Sequence, residues 1–384
     1  MRVLFNLMSL GAEPGGAGRY VEELVSRMPA LGVEPVLLGA RARPRFFDDP
    51  SWCPDVVRRV RDVGNDGAPY LHLAAQAVLL DGVARRNGCD LIHGPVYFGP
   101  TFGSVPSVIT VLDLMWWEHP SLTGFEGMGR HGWNLLTRLA VRHARRVLTI
   151  SQAAKSDIER LMGTASGKID VTLLGGNTSS TAAPRNEADL RRELGLEGKR
   201  VMLCVAQKRP HKNHETIIRA LSRLPEDVVL VAPGADGGYG AELRGIADGL
   251  GVADRVRMLE WVDDETLEGL FAAADVVVQM SLMEGFGLPA LEAMQRGIPV
   301  VVSDTPALAE VVGEHGLVVA ARDSDALAWS VAGVLNDPVL ADRLRSAGHE
   351  RARLLTWDAT AQATIASYEA ALRRSSSAVT SRTG

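Results

Sequence analysis

Two glutamates stand eight residues apart in a segment that reads SLMEGFGLPALEAMQRGIPVVVSD. The apolar run that ends near Met280 predicts a strand, so Glu284 would lie in the loop that follows it. Pro289 suits the first turn of a helix, because the N–H group that proline lacks would have no partner there. Glu292 would then lie about one turn into that helix and face the same side as Glu284. Carboxylates so placed can accept hydrogen bonds from the hydroxyl groups of a sugar and of a ribose.

The turn between these glutamates would bring backbone amides close to a bound phosphate. Gly285 and Gly287 favour such a turn, because backbone without a Cβ atom can approach a ligand closely. The helix start that follows offers unpaired N–H groups and the positive end of the helix dipole. We therefore expect Gly285, Phe286, Gly287 and Leu288 to bind a phosphorylated ligand. The alternative is an ordinary loop–helix junction with solvated glutamates.

Basic side chains crowd a second strand-to-helix loop, in the stretch AQKRPHKNHETIIRA. Lys208, Arg209, His211 and Lys212 all lie in this loop. Such a cluster at the carboxyl end of a strand can neutralise a diphosphate leaving group without a metal ion. The alternative is a basic loop that is simply solvated.

A third loop, GAEPGGAGRY, follows the first apolar run and opens a helix. Gly15 and Gly16 would bring backbone amides near phosphates or a transferred sugar. Glycine-rich turns after a first strand are common, so a purely structural turn is the alternative. The loop is not a Walker A, since no Gly-Lys-Ser/Thr follows, and it lacks the G-x-G-x-x-G fingerprint of dinucleotide-binding domains.

These segments together resemble family-four retaining glycosyltransferases with the GT-B fold, whose signature is a pair of glutamates spaced as E-x7-E. The resemblance implies that Glu284 contacts hydroxyls of the donor sugar and that Glu292 binds the ribose of the nucleotide. It implies that Lys212 is the family's lysine of the basic loop. It also implies that the loop at Trp261 and Val262 lies over the nucleotide base. The GGAGRY turn is similar to the family's GG-x-x-R/E-x turn.

Two departures from the family pattern fall at functional positions. The arginine that the family has before its lysine is Gln207 here, so we expect Arg209 to replace it. The family's histidine beside the donor sugar is Leu112 here, while the aspartate that follows is kept as Asp113. The residues predicted to be catalytic are Glu284, Lys212, Arg209 and Asp113.

Other candidates for contact with the acceptor lie in the first half of the chain. Without the family's histidine, Asp113, His119 or His93 would supply the polar contact, unless none is needed. His93 ends the apolar run DLIH, and a hydrogen-bonded core histidine is its alternative interpretation. The tryptophans of this region would form either core or an acceptor-binding surface. The residues predicted on the acceptor side are His93, Trp116 and His119.

The elements that must position these residues alternate between apolar strands and amphipathic helices in both halves of the chain. Continuous apolar strands separated by helices predict parallel sheets that are covered on both faces. We therefore predict two Rossmann-like, doubly wound α/β domains that face each other across a cleft, with sites at the carboxyl ends of the strands. The predicted strands are Val3–Leu7, Pro35–Gly39, Asp90–His93, Ser107–Leu112, Arg146–Ile150, Arg200–Ala206, Val228–Ala232, Val256–Leu259, Asp275–Gln279, Pro299–Val302 and Leu317–Ala320.

The length of 384 residues favours two domains, because single hydrophobic cores stop growing at about 250–300 residues. Residues 1–178 would form the acceptor-side domain, and residues 188–356 the donor-side domain. The stretch SSTAAPRNE, residues 179–187, lacks apolar periodicity and is predicted to be the linker. A helix within residues 357–374 would pack back on the first domain, and residues 375–384 would be a disordered tail.

Charge and cysteine content narrow the classes of partner and cofactor. The formal net charge of −5 argues against a general nucleic-acid binder, which usually carries a basic face. Cys53, Cys89 and Cys204 are few and widely separated, which suggests neither a disulfide framework nor a zinc site. Asp263 and Asp264 are interpreted as helix-capping residues rather than as a metal-binding D-x-D motif. We expect no metal and no cofactor beyond the donor substrate.

The expected location is cytoplasmic, because no apolar run reaches the ~18–20 residues that span a bilayer. The start MRVLFNLMSLGA is similar to a signal peptide, but a glycine-rich turn and a helix follow at once, as after a buried strand. Peripheral contact with the inner face of the membrane is a further hypothesis. The side chains proposed for it are Arg41, Arg43, Arg45, Arg58, Arg59 and Arg61.

The resemblance implies a retaining glycosyltransferase that moves a hexose from a GDP-, UDP- or dTDP-sugar to a hydroxyl acceptor. The acceptor would be a saccharide, a lipid-linked glycan or a small natural product. A non-catalytic nucleotide-sugar-binding protein and a nucleotide-sugar epimerase are the alternatives on the same scaffold. An NAD-dependent oxidoreductase is disfavoured, because the dinucleotide fingerprint is missing. The oligomeric state is left open.

Overall fold

The computed structural model of the protein describes residues 1–10, 15–39, 45–48, 52, 58–61, 79–123, 129–176 and 183–376. Its internal contacts divide the chain into two compact units. The first unit comprises Met1–Glu118, Phe125–Leu174 and Trp357–Gly384. The second comprises His119–Gly124 and Gly175–Thr356.

The first unit is built on a seven-stranded parallel sheet in the order β3-β2-β1-β4-β5-β6-β7. This order reverses between β1 and β4, as in doubly wound nucleotide-binding domains. The strands are β1 Arg2–Asn6, β2 Glu34–Gly39, β3 Arg58–Arg61, β4 Leu91–Gly94, β5 Ser107–Thr110, β6 Arg146–Thr149 and β7 Ile169–Val171. The helices of this unit are Gly15–Arg27, one that includes residues 79–86, Met115–Glu118, Gly129–His143, Gln152–Met162 and Trp357–Ser376.

The second unit repeats the plan with a six-stranded parallel sheet in the order β10-β9-β8-β11-β12-β13. Its order reverses between β8 and β11. The strands are β8 Arg200–Leu203, β9 Val228–Pro233, β10 Val256–Leu259, β11 Val276–Gln279, β12 Val300–Ser303 and β13 Leu317–Val319. The helices are Pro120–Thr123, Glu187–Leu194, His214–Leu221, Gly240–Gly249, Asp264–Ala273, Leu288–Gln295, Pro306–Val312, Ser324–Asn336 and Pro338–Ala352.

The apolar strands form the core of each unit. Every residue of β9, β11 and β12 is buried, and β4 and β5 are buried throughout as well. Strands covered on both faces must be apolar at nearly every position, which is why they were recognisable as continuous runs. The prediction of an α/β fold with two doubly wound units is confirmed, and the cleft expected between them stays a prediction.

The sequence prediction missed two strands and a helix and misplaced the end of the linker. The strand β3, RRVR, was missed because three of its four residues are arginines, and β7 was missed because it has only three residues. The helix Pro306–Val312 was not predicted either. The proposed linker ends too late, because Asn186 accepts a hydrogen bond from the Asp189 amide and caps a helix that begins at Glu187.

The last helix also runs further than predicted, to Ser376, so Ser375 and Ser376 do not belong to a tail. Serine is only modestly poorer than alanine as a helix former, and an established helix extends at little cost. Residues 377–384 lie outside the described residues, as do Cys53, Arg41 and Arg43. The side chains of the other arginines proposed for membrane contact also lie outside what the structure describes. These are Arg45, Arg58, Arg59 and Arg61.

Within the described part of the chain, no helix is both long enough and apolar enough to cross a membrane. Cys89 and Cys204 are buried and free. Asp263 caps the helix Asp264–Ala273 by accepting a hydrogen bond from the Thr266 amide, which confirms its interpretation as a capping residue.

Candidate active site

The closest contact among the predicted catalytic residues joins Lys212 to Glu284. Lys212 ends a short 3-10 turn, Pro210–Lys212, that follows β8, and Glu284 lies in the loop after β11. Because β8 and β11 are neighbours at the point where the strand order reverses, their following loops meet. Nζ of Lys212 lies 2.6 Å from Oε1 of Glu284, so residues 72 positions apart form an ion pair.

The carboxylate of Glu284 is held by two further donors, both of them neutral. Its Oε1 atom accepts hydrogen bonds from Nε2 of Gln279 and from Oγ of Ser281, each at 2.8 Å. Burial opposes ionisation of this carboxyl, but the charge of Lys212 and the three hydrogen bonds outweigh it and hold the pKa of Glu284 below its usual value. Glu284 is therefore an ionised acceptor that is only 9% exposed.

The turn after Glu284 requires glycine and opens a helix. Gly287 has a φ of +117° and precedes the helix Leu288–Gln295, which carries Pro289 in its first turn as predicted. A Cβ atom on Gly287 would lie 2.4 Å from Cδ2 of Leu308. The backbone therefore approaches a neighbouring side chain as closely as only glycine allows.

Phe286 in this turn and Glu292 in the helix that follows differ in what they can offer a ligand. The side chain of Phe286 is 3% exposed and belongs to the core, while the prediction that Phe286 binds the donor stays a prediction for its backbone. A phenylalanine next to a glycine turn buries its ring for packing, and only its backbone can face a ligand. Glu292 is half-buried and lies one turn into the helix Leu288–Gln295, as the spacing predicted.

One lysine of the basic loop, Lys208, has a structural role. Lys208 is 2% exposed, and its Nζ donates to the carbonyl oxygens of Gly234 and Leu259, which follow β9 and end β10. Burial lowers the pKa of Lys208. Its inclusion in a diphosphate-binding cluster was wrong, because the ammonium group is used to satisfy strand-end carbonyls.

Arg209 lies beside Gln207, the residue that replaces the arginine of the family. Nε of Arg209 donates to Oε1 of Gln207 at 3.2 Å, and the arginine is half-buried while Gln207 is exposed. The glutamine thus contacts the very guanidinium that we expected to compensate for it. The replacement of the family's arginine by Arg209 stays a prediction.

Backbone and side-chain contacts tie the basic loop to the Glu284 loop. The Leu282 amide donates to the carbonyl of His211 at 2.8 Å. Asn213, whose φ is +55°, donates through Nδ2 to the carbonyl of Met280 at 2.8 Å. These two bonds fix the spacing across which Lys212 and Glu284 interact.

The loop after β10 presents an exposed aromatic side chain. Trp261 is 75% exposed, and Val262 beside it is half-buried. The loop is anchored at Leu259, whose carbonyl accepts from Lys208. An exposed indole at the carboxyl end of a parallel strand offers a flat apolar surface to a planar ring.

In the first unit, the predicted glycines open the helix that follows β1. Gly15 and Gly16 are the first residues of the helix Gly15–Arg27, and both are exposed. Gly15 has a φ of +57°, and a Cβ atom on either glycine would meet nothing within 4 Å. The start of this helix therefore presents accessible backbone amides, as an anion-binding turn requires.

Asp113 is half-buried and accepts a hydrogen bond within its own unit. Its Oδ1 accepts from the Met115 amide at 3.1 Å, and its carboxylate lies near Tyr97. Burial and this carboxylate raise the pKa of Tyr97 well above its usual value. Tyr97 has a φ of +60°, an uncommon conformation for a bulky residue, and its amide donates to the carbonyl of Thr110 at 2.9 Å.

The structure favours the core interpretation of His93 over the acceptor-side prediction. The ring is fully buried, with Nε2 2.8 Å from Oγ1 of Thr110 and Nδ1 2.6 Å from the hydroxyl of Tyr368. Burial lowers the pKa of His93 to about 3. Both ring nitrogens are thus occupied by residues of the first unit.

Trp116 and His119 occupy different surroundings. Trp116 is 9% exposed and packs edge-on against Tyr97 and Trp133, so it belongs to an aromatic core rather than to an open acceptor surface. His119 is exposed and belongs to the second unit, where the following helix Pro120–Thr123 packs against Pro210–Lys212. Of the three acceptor-side predictions, His119 alone presents an exposed side chain.

Comparison with known proteins decides the family. Residues 186–351 match the model of glycosyl transferases group 1, and residues 14–179 match that of glycosyltransferase family 4. The chain is 32% identical over 395 residues to the O-antigen chain mannosyltransferase B of Escherichia coli, covering 96% of this chain and 100% of the relative. The chain belongs to glycosyltransferase family 4.

Further comparisons agree with this assignment. The glycosyltransferase is 34% identical over 386 residues to the D-inositol 3-phosphate glycosyltransferase 2 of Catenulispora acidiphila, with 93% of this chain and 90% of that one covered. Its fold matches Anabaena HepE in complex with UDP at a TM-score of 0.77, 21% identity and coverage of 96% and 100%. The expectation of a transferase enzyme is confirmed, so the alternatives of a non-catalytic binder and an epimerase are set aside.

Sequence reasoning missed three residues of this glycosyltransferase that shape the site. Gln279 and Ser281 bind the Glu284 carboxylate, and Asn213 fixes the basic loop. A signal was present for Gln279, because it is the one polar residue in the strand VVVQ. Asn213 gave a weaker signal, since asparagine is among the few residues that tolerate a positive φ.

Proposed function

We propose that the enzyme transfers a hexose from a nucleotide-sugar to a hydroxyl acceptor with retention of anomeric configuration and without a metal ion. The observation that carries the proposal is the Lys212–Glu284 ion pair beside the helix start at Gly287. It combines a cation, an ionised acceptor and the backbone amides of a helix start within one pair of adjacent loops. These are the groups that a diphosphate-linked sugar needs for binding.

In this proposal each part of the donor meets its own group. The Glu284 carboxylate accepts hydrogen bonds from hydroxyls of the sugar, and Glu292 accepts them from the ribose. The diphosphate lies at the helix start after Gly287, with Lys212 and Arg209 meeting its charge. The base lies at Trp261 and Val262. In the first unit, Gly15 and Gly16 offer the amides of a helix start to a phosphate or a sugar.

The proposed chemical step breaks the bond between the anomeric carbon and the phosphate oxygen and forms a bond from that carbon to the acceptor oxygen. Both bonds lie on the same face of the sugar, so configuration is retained. The departing phosphate takes the proton of the acceptor hydroxyl. Lys212 and Arg209 stabilise the negative charge that develops on the phosphate, which is why no metal ion is invoked.

Hexose transfer is supported by the relatives, since one is named a mannosyltransferase and HepE was solved with UDP. The donor nucleotide among GDP, UDP and dTDP is a matter for experiment. The proposed acceptor is a saccharide, a lipid-linked glycan or a small natural product. We propose action in the cytoplasm, with peripheral contact at the inner face of the membrane where the acceptor is lipid-linked.

Ligand-induced stabilisation tests the donor site directly. Thermal shifts would be measured with UDP, GDP, dTDP and their hexose conjugates in the presence of EDTA, for the wild type, Glu292→Ala and Glu292→Gln. A ligand that binds the native state stabilises it by mass action, so one nucleotide should raise Tm in the wild type and raise it less in both variants. Equal shifts in all three proteins would remove Glu292 from the site.

Turnover of the selected donor tests the reaction. Product release should require both donor and acceptor and should persist in EDTA, and NMR of the product should show the donor's anomeric configuration. Inversion, or a strict requirement for a divalent ion, would contradict the proposed chemistry. Liposome sedimentation with anionic and neutral lipids at low and high salt tests membrane contact, since electrostatic binding weakens with salt.

A further inference from the structure

Gln279 is a polar residue in a place that favours apolar ones. It ends β11, lies beside Val302 of β12 and is 4% exposed, while the three valines before it are buried core residues. Burying an amide is unfavourable unless its hydrogen-bonding groups find partners. Leucine or methionine would fill such a position without that cost, so packing alone does not account for the glutamine.

The nitrogen of the Gln279 side-chain amide has a hydrogen-bond partner, and its oxygen has none among the described residues. Its Nε2 donates to Oε1 of Glu284 at 2.8 Å, whereas its own Oε1 has no hydrogen-bond partner among the described residues. That oxygen lies beside the turn at Gly287, 3.9 Å from where a Cβ atom would stand. The one satisfied contact of this buried amide is therefore the contact to the Glu284 carboxylate.

All three donors to Glu284 converge on a single oxygen. Lys212, Gln279 and Ser281 bind Oε1, and among the residues that the structure describes none donates to Oε2. The carboxylate is thus oriented by one oxygen and has the other available for a ligand. Lys212 is the charged member of the three donors. In the proposed function it also contacts the diphosphate of the donor substrate.

Lys212 is thus assigned two partners, the Glu284 carboxylate and the diphosphate. When Lys212 turns towards a diphosphate, its attraction to Glu284 weakens, but the Glu284 carboxylate must keep its orientation. Neutral donors fixed on β11 and in the following loop do not leave with the ligand. They keep the carboxylate oriented and ionised whatever Lys212 contacts.

Resting on the proposed function, we infer that Gln279, assisted by Ser281, is a positioning residue that holds Oε1 of Glu284 so that Oε2 faces the donor sugar. The residue acts through Glu284 and does not touch the nucleotide. Its loss should therefore impair transfer of the sugar and leave binding of the free nucleoside diphosphate unchanged.

The main test compares Gln279→Leu with the wild type. We expect kcat/KM to fall about 10- to 100-fold, the range for a lost hydrogen bond to a charged group, with unchanged thermal shifts by UDP or GDP. The acid limb of the kcat/KM profile should move to higher pH, because a carboxylate that loses a donor is protonated more easily. Ser281→Ala should shift both quantities in the same direction by less.

The other titrating groups near this carboxylate lie in the basic loop and just after β8. Lys212 pairs with it from the basic loop, where His211 is also buried, and burial raises the pKa of the Cys204 thiol, which directly follows β8, to about 12. His214, beside Lys212, has its pKa lowered to about 3, and Lys208 is buried with the strand-end carbonyls. Because His211 belongs to the same loop, the profile is repeated in a His211→Gln background. An upward shift in Gln279→Leu that persists there reports Glu284.

Gln279→Glu gives a readout that a purely structural role would not produce. The new carboxyl group lies against Glu284 in a buried site, so its pKa should be raised. Once protonated it can donate an O–H bond in place of the amide. Activity relative to the wild type should therefore recover as pH falls from 8 towards 6, while Gln279→Leu should show no recovery.

Val277→Ala is the matched control, because it removes buried volume two residues earlier on the same face of β11. It should lower Tm and leave kcat/KM and the acid limb of the pH profile as in the wild type.

If Gln279→Leu does not fold, the inference is tested by Gln279→Glu alone, through the recovery of its activity at low pH. A wild-type profile in Gln279→Leu, or no recovery in Gln279→Glu, overturns the inference. A wild type that consumes no donor sinks the proposed function instead.

Discussion

Nδ2 of Asn213 donates to the carbonyl of Met280 at 2.8 Å and to that of Ala321 at 2.6 Å. The side-chain amide thus joins the end of the basic loop to the segments that follow β11 and β13 of the second unit. Asn213 holds a φ of +55° and is 6% exposed. These hydrogen bonds fix the backbone position of the neighbouring Lys212, and therefore whether its ammonium group reaches Glu284.

Asn213→Ala should destabilise the second unit and weaken the active site together. One buried and one partly buried carbonyl lose their donor, and alanine adopts a positive φ poorly, so we expect a loss of roughly 2–4 kcal/mol in the free energy of unfolding. Urea unfolding measures it. Asn186→Ala, which removes an exposed helix cap, is the control and should cost about 1 kcal/mol without affecting turnover. Similar turnover losses in both variants would argue against the anchoring role.

Lys212 and Glu284 should behave as a unit in a double-mutant cycle. Lys212→Met and Glu284→Gln should each lower turnover by about 10²-fold or more, because each removes a charge that acts in the transition state. The double variant should lose less than the product of the two factors, since each single change already breaks the pair. Steady-state kinetics at saturating acceptor supplies the numbers. Strictly multiplicative losses would show that the two groups act independently.

Gly287→Ala should be far more damaging than a change at another glycine with positive φ. The new methyl group would lie 2.4 Å from Cδ2 of Leu308, and the backbone amides after the turn would have to shift. We expect Gly287→Ala to have a lower Tm than the wild type and to show no increase in Tm when the nucleotide is added. Gly251→Ala is the control, because its φ is +67° and a Cβ atom there would meet nothing within 4 Å. Retained nucleotide binding in Gly287→Ala would mean that the helix start does not contact the phosphates.

The meeting of Lys212 and Glu284 could be anticipated from sequence because it depends on topology. The first strand and the fourth strand of a doubly wound domain are neighbours where the order reverses, so the loops after β8 and β11 must lie together. The same reasoning placed Glu292 one turn into its helix. Such features follow from element order and helical period, which the apolar pattern reveals directly.

Side-chain direction could not be anticipated in the same way. Lys208 and Lys212 look alike in the sequence, yet one satisfies two strand-end carbonyls in the interior and the other pairs with Glu284. His93 had two interpretations at the end of its strand, and the hydrogen bond with Tyr368 of the last helix favours the core one. These contacts join residues 26 to 275 positions apart and leave no local pattern, and they decide which polar residue is buried.

The buried histidines predict an acid-sensitive fold. Burial lowers the pKa of His93 and of His214 to about 3, and both nitrogens of His214 lack partners among the described residues. In the unfolded chain each ring has a pKa near 6.5, so above about pH 6.5 neither state binds the proton and no penalty arises. Between about pH 6.5 and 3 the unfolded state binds protons that the folded state excludes, and stability falls as pH falls.

His214→Leu isolates this effect. At pH 5 each buried histidine should destabilise its unit by about 2 kcal/mol relative to pH 7, because a difference of one pKa unit corresponds to about 1.4 kcal/mol. Urea unfolding at the two pH values should therefore show a smaller acid loss in His214→Leu than in the wild type. His119→Gln, at an exposed site, should keep the full loss. An unchanged acid loss in His214→Leu would mean that the ring is protonated, or reaches solvent, in the folded protein.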